Sequence, residues 1–555
     1  MIEISTKKYS STFVLLFAFL FLSKFALSQS YYWVAFSDKN NSKFSISEPE
    51  KYLSERAIQR RIKQNITIDS LDLPVVANYI DQVIELDAEL VHASKWLNGI
   101  TVKTNADSFK IDALQLSFVK EIQLTKPAEE NKNAFNKFYE PADNSAYNFN
   151  IDTALYGPSA VQVEQLNSHV LHGENFKGQG IHIAVLDGGF LNVDNYPAFD
   201  SLRSDNRILG TKDFVDPGVE FYETHYHGMS VLSCMAGNIP GELIGTAPKA
   251  SYWLIRSEDT DSEYLIEEDN WVVAAEFADS VGVDVINSSL GYSLFNDESM
   301  NHTYAEMDGN TTRVTKAANI AVSKGMLVFS SAGNEGNDPW KFLIAPADGD
   351  NVIAVGAVNN EGEAASFTSF GPASDGDIKP NVAAMGRNTY LQKSDGTLGY
   401  SNGTSFASPV LAGAVACLWQ ANPDASAAEV KLAIEQSGHL YPQSDSLLGY
   451  GIPDMQIANQ LLKSSTVQII SLEKKWLVYP NPARDYLVLY NTNIDSNEKI
   501  TVSIYTLSGR LLRKEIKPAS AKIIMRNLQS LPSGLLILKI DSGEYSESIK
   551  FSKIR

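Results

Sequence analysis

Gly403-Thr404-Ser405-Phe406-Ala407-Ser408-Pro409 is followed by an apolar, small-residue run over 410–419. A serine between glycine and proline signals, just ahead of a helix-like pattern, stands where its hydroxyl is exposed at a helix N-terminus while the helix is buried. That seat suits a nucleophile; it equally suits a helix cap, because Ser and Thr accept from backbone N–H groups there. Two other stretches separate these readings. Ile183-Ala184-Val185-Leu186-Asp187-Gly188-Gly189 reads as a buried strand delivering a carboxylate to its C-terminal edge, where open α/β sheets place their chemistry. An Asp before Gly-Gly is by itself a turn signal, and only the apolar run ahead of it and the later partners say otherwise. His227-Gly228-Met229-Ser230-Val231-Leu232-Ser233 then puts a histidine at the start of a helix-like segment. Of the eight histidines, His225 is the nearest rival, but it lacks the following glycine.

Acid, histidine and serine in this order resemble the subtilisin (subtilase) family of serine proteases. Ser330-Ser331-Ala332-Gly333-Asn334-Glu335-Gly336 resembles the segment that carries that family's oxyanion-hole asparagine. Val285-Ile286-Asn287-Ser288-Ser289-Leu290-Gly291 resembles the strand edge lining its cleft. The resemblance implies a catalytic Asp187, His227 and Ser405, an oxyanion hole at Asn334, and a substrate cleft along Ser289, Leu290, Gly291, Tyr292, Ala332 and Gly333. The chemistry asks for these types: a serine hydroxyl needs a neutral imidazole to take its proton, and the imidazole needs a carboxylate to hold its tautomer. Met229 and Ser230 stand where many subtilases carry Thr and a second His, which leaves the general base untouched. No metal or cofactor is required. A structural calcium at Glu267-Glu268-Asp269 is unsupported, and that acidic run reads as decoration of a helix N-terminus.

Around this centre, 555 residues suggest three or four folded units. The fold class expected is α/β: a subtilisin-like parallel sheet covered by helices on both faces, with a small domain on either side. Residues 1–28 carry Lys7 and Lys8, an apolar run and Ala26-Leu27-Ser28, the pattern of a secretory signal peptide. No later stretch reads as a membrane span. Residues 29–145 alternate strand-like runs at 32–36, 83–86, 100–103 and 119–124 with helix-like runs at 49–62 and 106–114. They resemble a ferredoxin-like α+β propeptide that inhibits its own enzyme, against an unrelated accessory domain; the stretch 126–150, which overlaps their C-terminal end, reads as an exposed linker. Residues 146–464 form the catalytic unit, with strands expected at 181–186, 251–255, 283–288, 326–331 and 352–358 and helices at 271–281 and 314–324. Residues 465–555 comprise a linker and six short strands of a small β-sandwich. With Tyr479-Pro480-Asn481-Pro482 at its start, this segment is similar to the sorting tails of type IX secretion substrates, against a substrate-binding sandwich.

The expected partners are protein or peptide substrates, the chain's own propeptide and the type IX machinery, with an extracellular or cell-surface location after periplasmic transit. A net charge of −20 argues against nucleic acid. Cys234 and Cys417 read as buried free thiols, because they lie at different heights along their helices from the catalytic neighbours. Asp297, Glu298, Glu306 and Asp308 in the 296–308 insertion suit a solvated loop better than a pocket for basic side chains. A catalytically silent, subtilase-like surface binding protein is the alternative. An α/β-hydrolase esterase fits less well, because Gly403-Thr404-Ser405-Phe406-Ala407 lacks the second glycine of the nucleophile elbow and the acid precedes the histidine. The mature N-terminus is expected between residues 134 and 155. N-terminal sequencing of active enzyme tests this, and a chain still beginning at Gln29 would refute it.

Overall fold

The computed structural model describes residues 29–128, 137–138, 154–463, 476–479, 483, 486–490, 499–506, 509–518, 520, 522–542 and 545–553. The signal-peptide reading of residues 1–28 lies outside them, as does most of the 126–150 linker.

A seven-stranded sheet organises the centre of the chain, and every pairing in it is parallel. Its strands follow those of the N-terminal domain, β1 (Ser30–Phe36), β2 (Ala88–Ser94), β3 (Gly99–Thr104) and β4 (Val119–Lys126). They are β5 (His182–Asp187), β6 (Ile208–Asp213), β7 (Ser251–Arg256), β8 (Val285–Ser288), β9 (Leu327–Ser331), β10 (Ile353–Val358) and β11 (Val382–Met385). The spatial order is β11-β10-β9-β8-β5-β7-β6. The chain leaves β5 towards one edge and later resumes on its other side at β8. The crevice beyond the carboxyl ends of β5 and β8 is therefore the topological switch point, where α/β sheets place ligands. Side-chain alternation explains why both faces are covered. Ile183 and Val185 enter the core beneath helices His227–Ala236 and Thr404–Ala421, whereas Ala184 and Leu186 enter the core beneath Ile266–Val281 and Arg313–Ser323. The sequence patterns underlying β6 and β11 went unrecognised: β6 is half-exposed at the sheet edge, and β11 is a four-residue strand of small apolar residues.

Helix Thr404–Ala421 has 18 residues with a mean hydropathy of 1.2, enough by length and composition for a membrane span, contrary to the sequence reading. It is 83% buried and runs through the centre of the core. Its small residues allow this: a Cβ on Gly413 would lie 2.1 Å from Thr246 Oγ1. Cys234 and Cys417 are both free and fully buried, and burial raises both thiol pKa values, so neither is a ready nucleophile.

The N-terminal domain is an antiparallel sheet of order β2-β3-β1-β4, the ferredoxin-like arrangement. Three local expectations change. The run at 83–86 ends helix Ala77–Ile84, and the strand follows at Ala88–Ser94; β-rich residues there serve a helix face, with Val83 fully buried. The single helix at 49–62 is split by Ser54, which caps Glu55–Lys63 by accepting from Ala57 N. The second helix shortens to Phe109–Ala113.

This domain sits on helix Ile266–Val281. Glu276 accepts from the backbone N–H groups of Lys95 and Trp96 and from the Ser94 hydroxyl. Asp279, fully buried, accepts from Arg60, Arg61 and Lys95, all three contributed by the N-terminal domain. Burial would raise the Asp279 carboxyl, yet Lys95, Arg60 and Arg61 hold it down at about 2.

At the C-terminus, strands Leu477–Tyr479, Leu487–Tyr490 and Lys522–Met525 form one antiparallel sheet. Lys499–Thr506, Leu511–Pro518, Gly534–Ser542 and Tyr545–Lys553 form another. Ile500, Val502 and Ile504 alternate into the core they share with Leu487, Leu489 and Met525, so the sandwich has one strand more than expected.

Because Asp279 loses three cations when the N-terminal domain departs, its pKa there returns upwards, and the association it supports is present above about pH 4 and fades as pH falls towards 2. A chain cut once between residues 129 and 153 should retain its N-terminal domain on gel filtration at pH 7. It should release it progressively below pH 4, and Asp279→Asn should weaken retention at pH 7 by at least tenfold. Undiminished retention in the variant would show the three-cation contact to be dispensable.

Candidate active site

Asp187 is the last residue of β5 and is completely buried. Its Oδ1 accepts from Gly188 N at 2.7 Å and pairs with His227 Nδ1 at 2.8 Å. His227 opens helix His227–Ala236, and the residue after it determines how near that helix can come. A Cβ on Gly228 would lie 2.5 Å from Gly189 O and 2.8 Å from Asp187 Cβ, so only glycine lets the helix start lean on the strand end. His225, the rival imidazole, instead receives the His227 backbone N–H on Nδ1 at 3.3 Å. Burial first, then the neighbouring His227, lowers its pKa to about 4.

Ser405 is the second residue of helix Thr404–Ala421, behind Gly403. Pro409 has no N–H to give the Ser405 carbonyl four residues back, and Ser289 Oγ donates to that carbonyl instead at 2.7 Å. This ties the start of helix Thr404–Ala421 to the end of β8. The Ser405 hydroxyl donates to Ser289 O at 3.4 Å, a long bond, and no bond joins it to His227 among the described residues. The imidazole is nonetheless close by: its ring lies 5.8 Å from that of Phe406, the next residue.

Asn334 is oriented by its own oxygen. Oδ1 accepts from Thr404 N and Thr404 Oγ1, each at 2.9 Å, which turns the amide nitrogen the other way. A Cβ built on Gly403 would stand 3.6 Å from Ser405 N and 3.8 Å from Asn334 Nδ2. Ser405 N and Asn334 Nδ2 thus border one small space that glycine leaves open, and the first N–H groups of a helix have no acceptor within it. Ser289, Leu290, Ala332 and Gly333 are buried at the ends of β8 and β9, and Gly291 is half-buried. The Tyr292 ring, also expected in the cleft, is fully buried, and its hydroxyl donates to Glu258 Oε2 at 2.8 Å.

The expectation that 126–150 is exposed fails at the two described residues of its middle. The Phe138 ring packs 4.2 Å from the His227 ring and 4.8 Å from that of His225, over Gly188. The Lys137 side chain is 7% exposed, and its Nζ contacts Glu258 Oε1 and Glu263 Oε2 at 2.8 Å each, together with Glu267 Oε2. The acidic run at 267–269 therefore does not decorate a helix surface. Glu267 meets Lys137, Glu268 meets His302 and the Val314 N–H, and Asp269 meets Arg313 and Thr101. Burial raises Glu263 to about 8 and Glu267 well above its ordinary value; it would lower the Lys137 ammonium, which Glu258, Glu263 and Glu267 hold well above its own. In the 296–308 insertion, Asp297 caps one short turn and Glu306 completes the capping box of another with Thr303. No periodicity links 258, 263 and 267, so a sequence pattern offered no signal for their convergence.

Comparison with known proteins agrees with this architecture. Residues 178–451 match the subtilase family model, residues 31–138 the peptidase S8 propeptide domain of Bacteroidota, and residues 477–553 the secretion system C-terminal sorting domain. Subtilisin NAT of Bacillus subtilis subsp. natto is 30% identical over 302 residues, covering 54% of this chain and 70% of that protein. Subtilisin E of Bacillus subtilis (strain 168) matches at 30% with the same coverage, and the subtilisin of Bacillus pumilus at 29% over 98% of its length. The chain belongs to the subtilase family and is a serine endopeptidase of the S8 type. It carries its own propeptide domain and a type IX sorting tail, which makes it a secreted protease.

If the close approach at Gly228 sets the Asp187–His227 distance, Gly228→Ala should lower kcat/KM on a peptide substrate by on the order of a hundredfold, the scale of a roughly 1 Å misplacement. Its far-UV circular dichroism should stay that of the parent. Parental activity in the variant would remove that role from the glycine.

Proposed function

We propose that Ser405 is the nucleophile, His227 the general base, Asp187 its orienting carboxylate, and Asn334 Nδ2 with the Ser405 N–H the oxyanion hole of a peptide-bond hydrolase. The observation that carries the reading is the buried 2.8 Å Asp187–His227 contact, together with Ser405 N and Asn334 Nδ2 bordering one open space at Gly403. As Ser405 Oγ attacks the scissile carbonyl, its proton passes to His227 Nε2, while Nδ1–H stays donated to Asp187. Negative charge on the former carbonyl oxygen is met by the two donors, already in place. Collapse of the tetrahedral intermediate breaks the C–N bond, and His227 returns the proton to the leaving amine. A water molecule, activated by the same imidazole, then attacks the acyl-Ser405 ester and restores the serine.

One observation favours the silent-binder reading: the Ser405 hydroxyl bonds to Ser289 O and not to His227. Catalytic hydrogen bonds in unliganded sites are often long and tighten with substrate, and here Phe138 lies against the imidazole. The residues 29–128 and Phe138 together support an N-terminal domain that inhibits in cis, and the calcium-free, cofactor-free chemistry above needs nothing further.

After processing, the enzyme should react with a fluorophosphonate probe, and Ser405→Ala should abolish labelling. Asn334→Ala should label but lose about a hundred- to a thousandfold in turnover, the cost of removing one such donor in subtilisin. Absence of labelling in the processed parent enzyme would favour the silent binder.

A further inference from the structure

Three carboxylates in this structure meet where no step of the chemistry uses them. Glu258 follows β7, Glu263 lies in the loop beyond it, and Glu267 is in the first turn of helix Ile266–Val281. They are 3%, 4% and 0% exposed, and one oxygen of each lies within 4.8 Å of the others. The walls are made fast independently: Tyr292 donates its hydroxyl to Glu258, and the Glu263 backbone N–H donates to Asn296 Oδ1 at 2.6 Å. Three carboxyl groups taken out of water are costly unless protonated or paired with a cation.

The group that supplies that charge is the Lys137 ammonium, which touches all three carboxyls, on Glu267 through Oε2, while the buried Glu267 Oε1 accepts no hydrogen bond among the described residues. Lys137 is not part of the catalytic unit. It lies in the segment joining the N-terminal domain to it, and its neighbour Phe138 covers the catalytic imidazole. Two consecutive residues of this connecting segment therefore place one side chain on His227 and the other in the acidic pocket. Cutting the connection and releasing its N-terminal part leaves the pocket without its cation.

Resting on the proteolytic reading above, we infer that Glu258, Glu263 and Glu267 form a specificity subsite for a lysine-like cationic side chain of the substrate, one that Lys137 fills in the precursor. The substrate class is then polypeptide with a basic residue immediately N-terminal to the side chain packed on His227. The geometry favours Lys over a neutral chain of equal length, because a norleucine would bury the same methylenes and leave the carboxyls without a counter-charge. A like charge there would add repulsion to the same loss.

A quenched fluorescent peptide copying residues 133–144 tests this on processed enzyme, with Lys, norleucine or Glu at the position of Lys137 and Phe kept after it. The lysine peptide should exceed the norleucine peptide at least tenfold in kcat/KM, and the glutamate peptide by more. In Glu267→Gln and in Glu263→Gln the lysine-to-norleucine ratio should collapse towards one. The same ranking should hold for peptide binding, read by fluorescence anisotropy on processed enzyme inactivated by Ser405→Ala. That arm needs no turnover, so it reports on the pocket even if the fluorophosphonate experiment rejects a nucleophilic Ser405. Binding and cleavage of the norleucine peptide within twofold of the lysine peptide would overturn the assignment. So would a lysine preference that vanishes when calcium chloride is added and the melting temperature rises, since the pocket would then be a metal site.

Discussion

A single hydrogen bond, from His227 to the buried carboxylate of Asp187, is the contact on which the rest of this molecule depends. It joins the end of a central strand to the start of a core helix, two elements forty residues apart in chain. The parallel sheet makes it possible by bringing β5 to the switch point, and glycine at 228 makes it short. Everything else in the site is arranged around that pair: the Thr404–Ser405 helix start is tied to β8 through Ser289, and Asn334 is held by Thr404, so three loops share one frame. These ties use backbone groups the helix leaves unpaired, the Thr404 N–H at its start and the Ser405 carbonyl that Pro409 cannot reach, so the site forms without taking hydrogen bonds from the core.

The N-terminal domain is held by charge as much as by apolar contact. Asp279, Glu276 and Asp269 on the docking side are buried, and each is satisfied by groups that arrive with the other partner or with Arg313. A buried ion pair contributes little net stability against an apolar substitute, but it penalises any mismatched partner heavily. The same logic recurs at Lys137. An interface of this kind is specific while joined, and Glu276 and Asp279 lose the partners that residues 60–96 supply once the N-terminal domain leaves. Such a surface suits a domain that must first fit and later depart.

Local signals were strong wherever one residue type does one job. Glycines at 188, 228 and 333 mark close approaches and the one at 403 an open space, the alternation at 500, 502 and 504 marks a sandwich strand, and apolar runs ending in Asp187, Ser289 and Ala332 mark strand edges facing the cleft. Signals failed where context overrides propensity. The β-rich run at 83–86 is a helix end because Val83 packs against the N-terminal sheet, and helix Thr404–Ala421 is apolar all round because it is enclosed by protein. The edge strand 208–213 carries Lys212 and Asp213 on a partly solvated surface, so it lacks the apolar pattern of its neighbours.

The amino-acid order by itself determined the class of fold, the chain order of Asp187, His227 and Ser405, proposed here as the catalytic residues, and the small domains at either end. Those features are written in short windows, since a strand edge, a helix start or a tight turn needs only a few neighbouring residues to be specified. Only the tertiary structure decided that Lys137 and Phe138 lie in the cleft, that Glu258, Glu263 and Glu267 converge on one ammonium, and that Tyr292 backs that pocket. Convergence of that sort has no period and no fixed spacing: it exists because a loop, a helix start and a strand end, each folded for its own reasons, bring charged groups out of water at the same point.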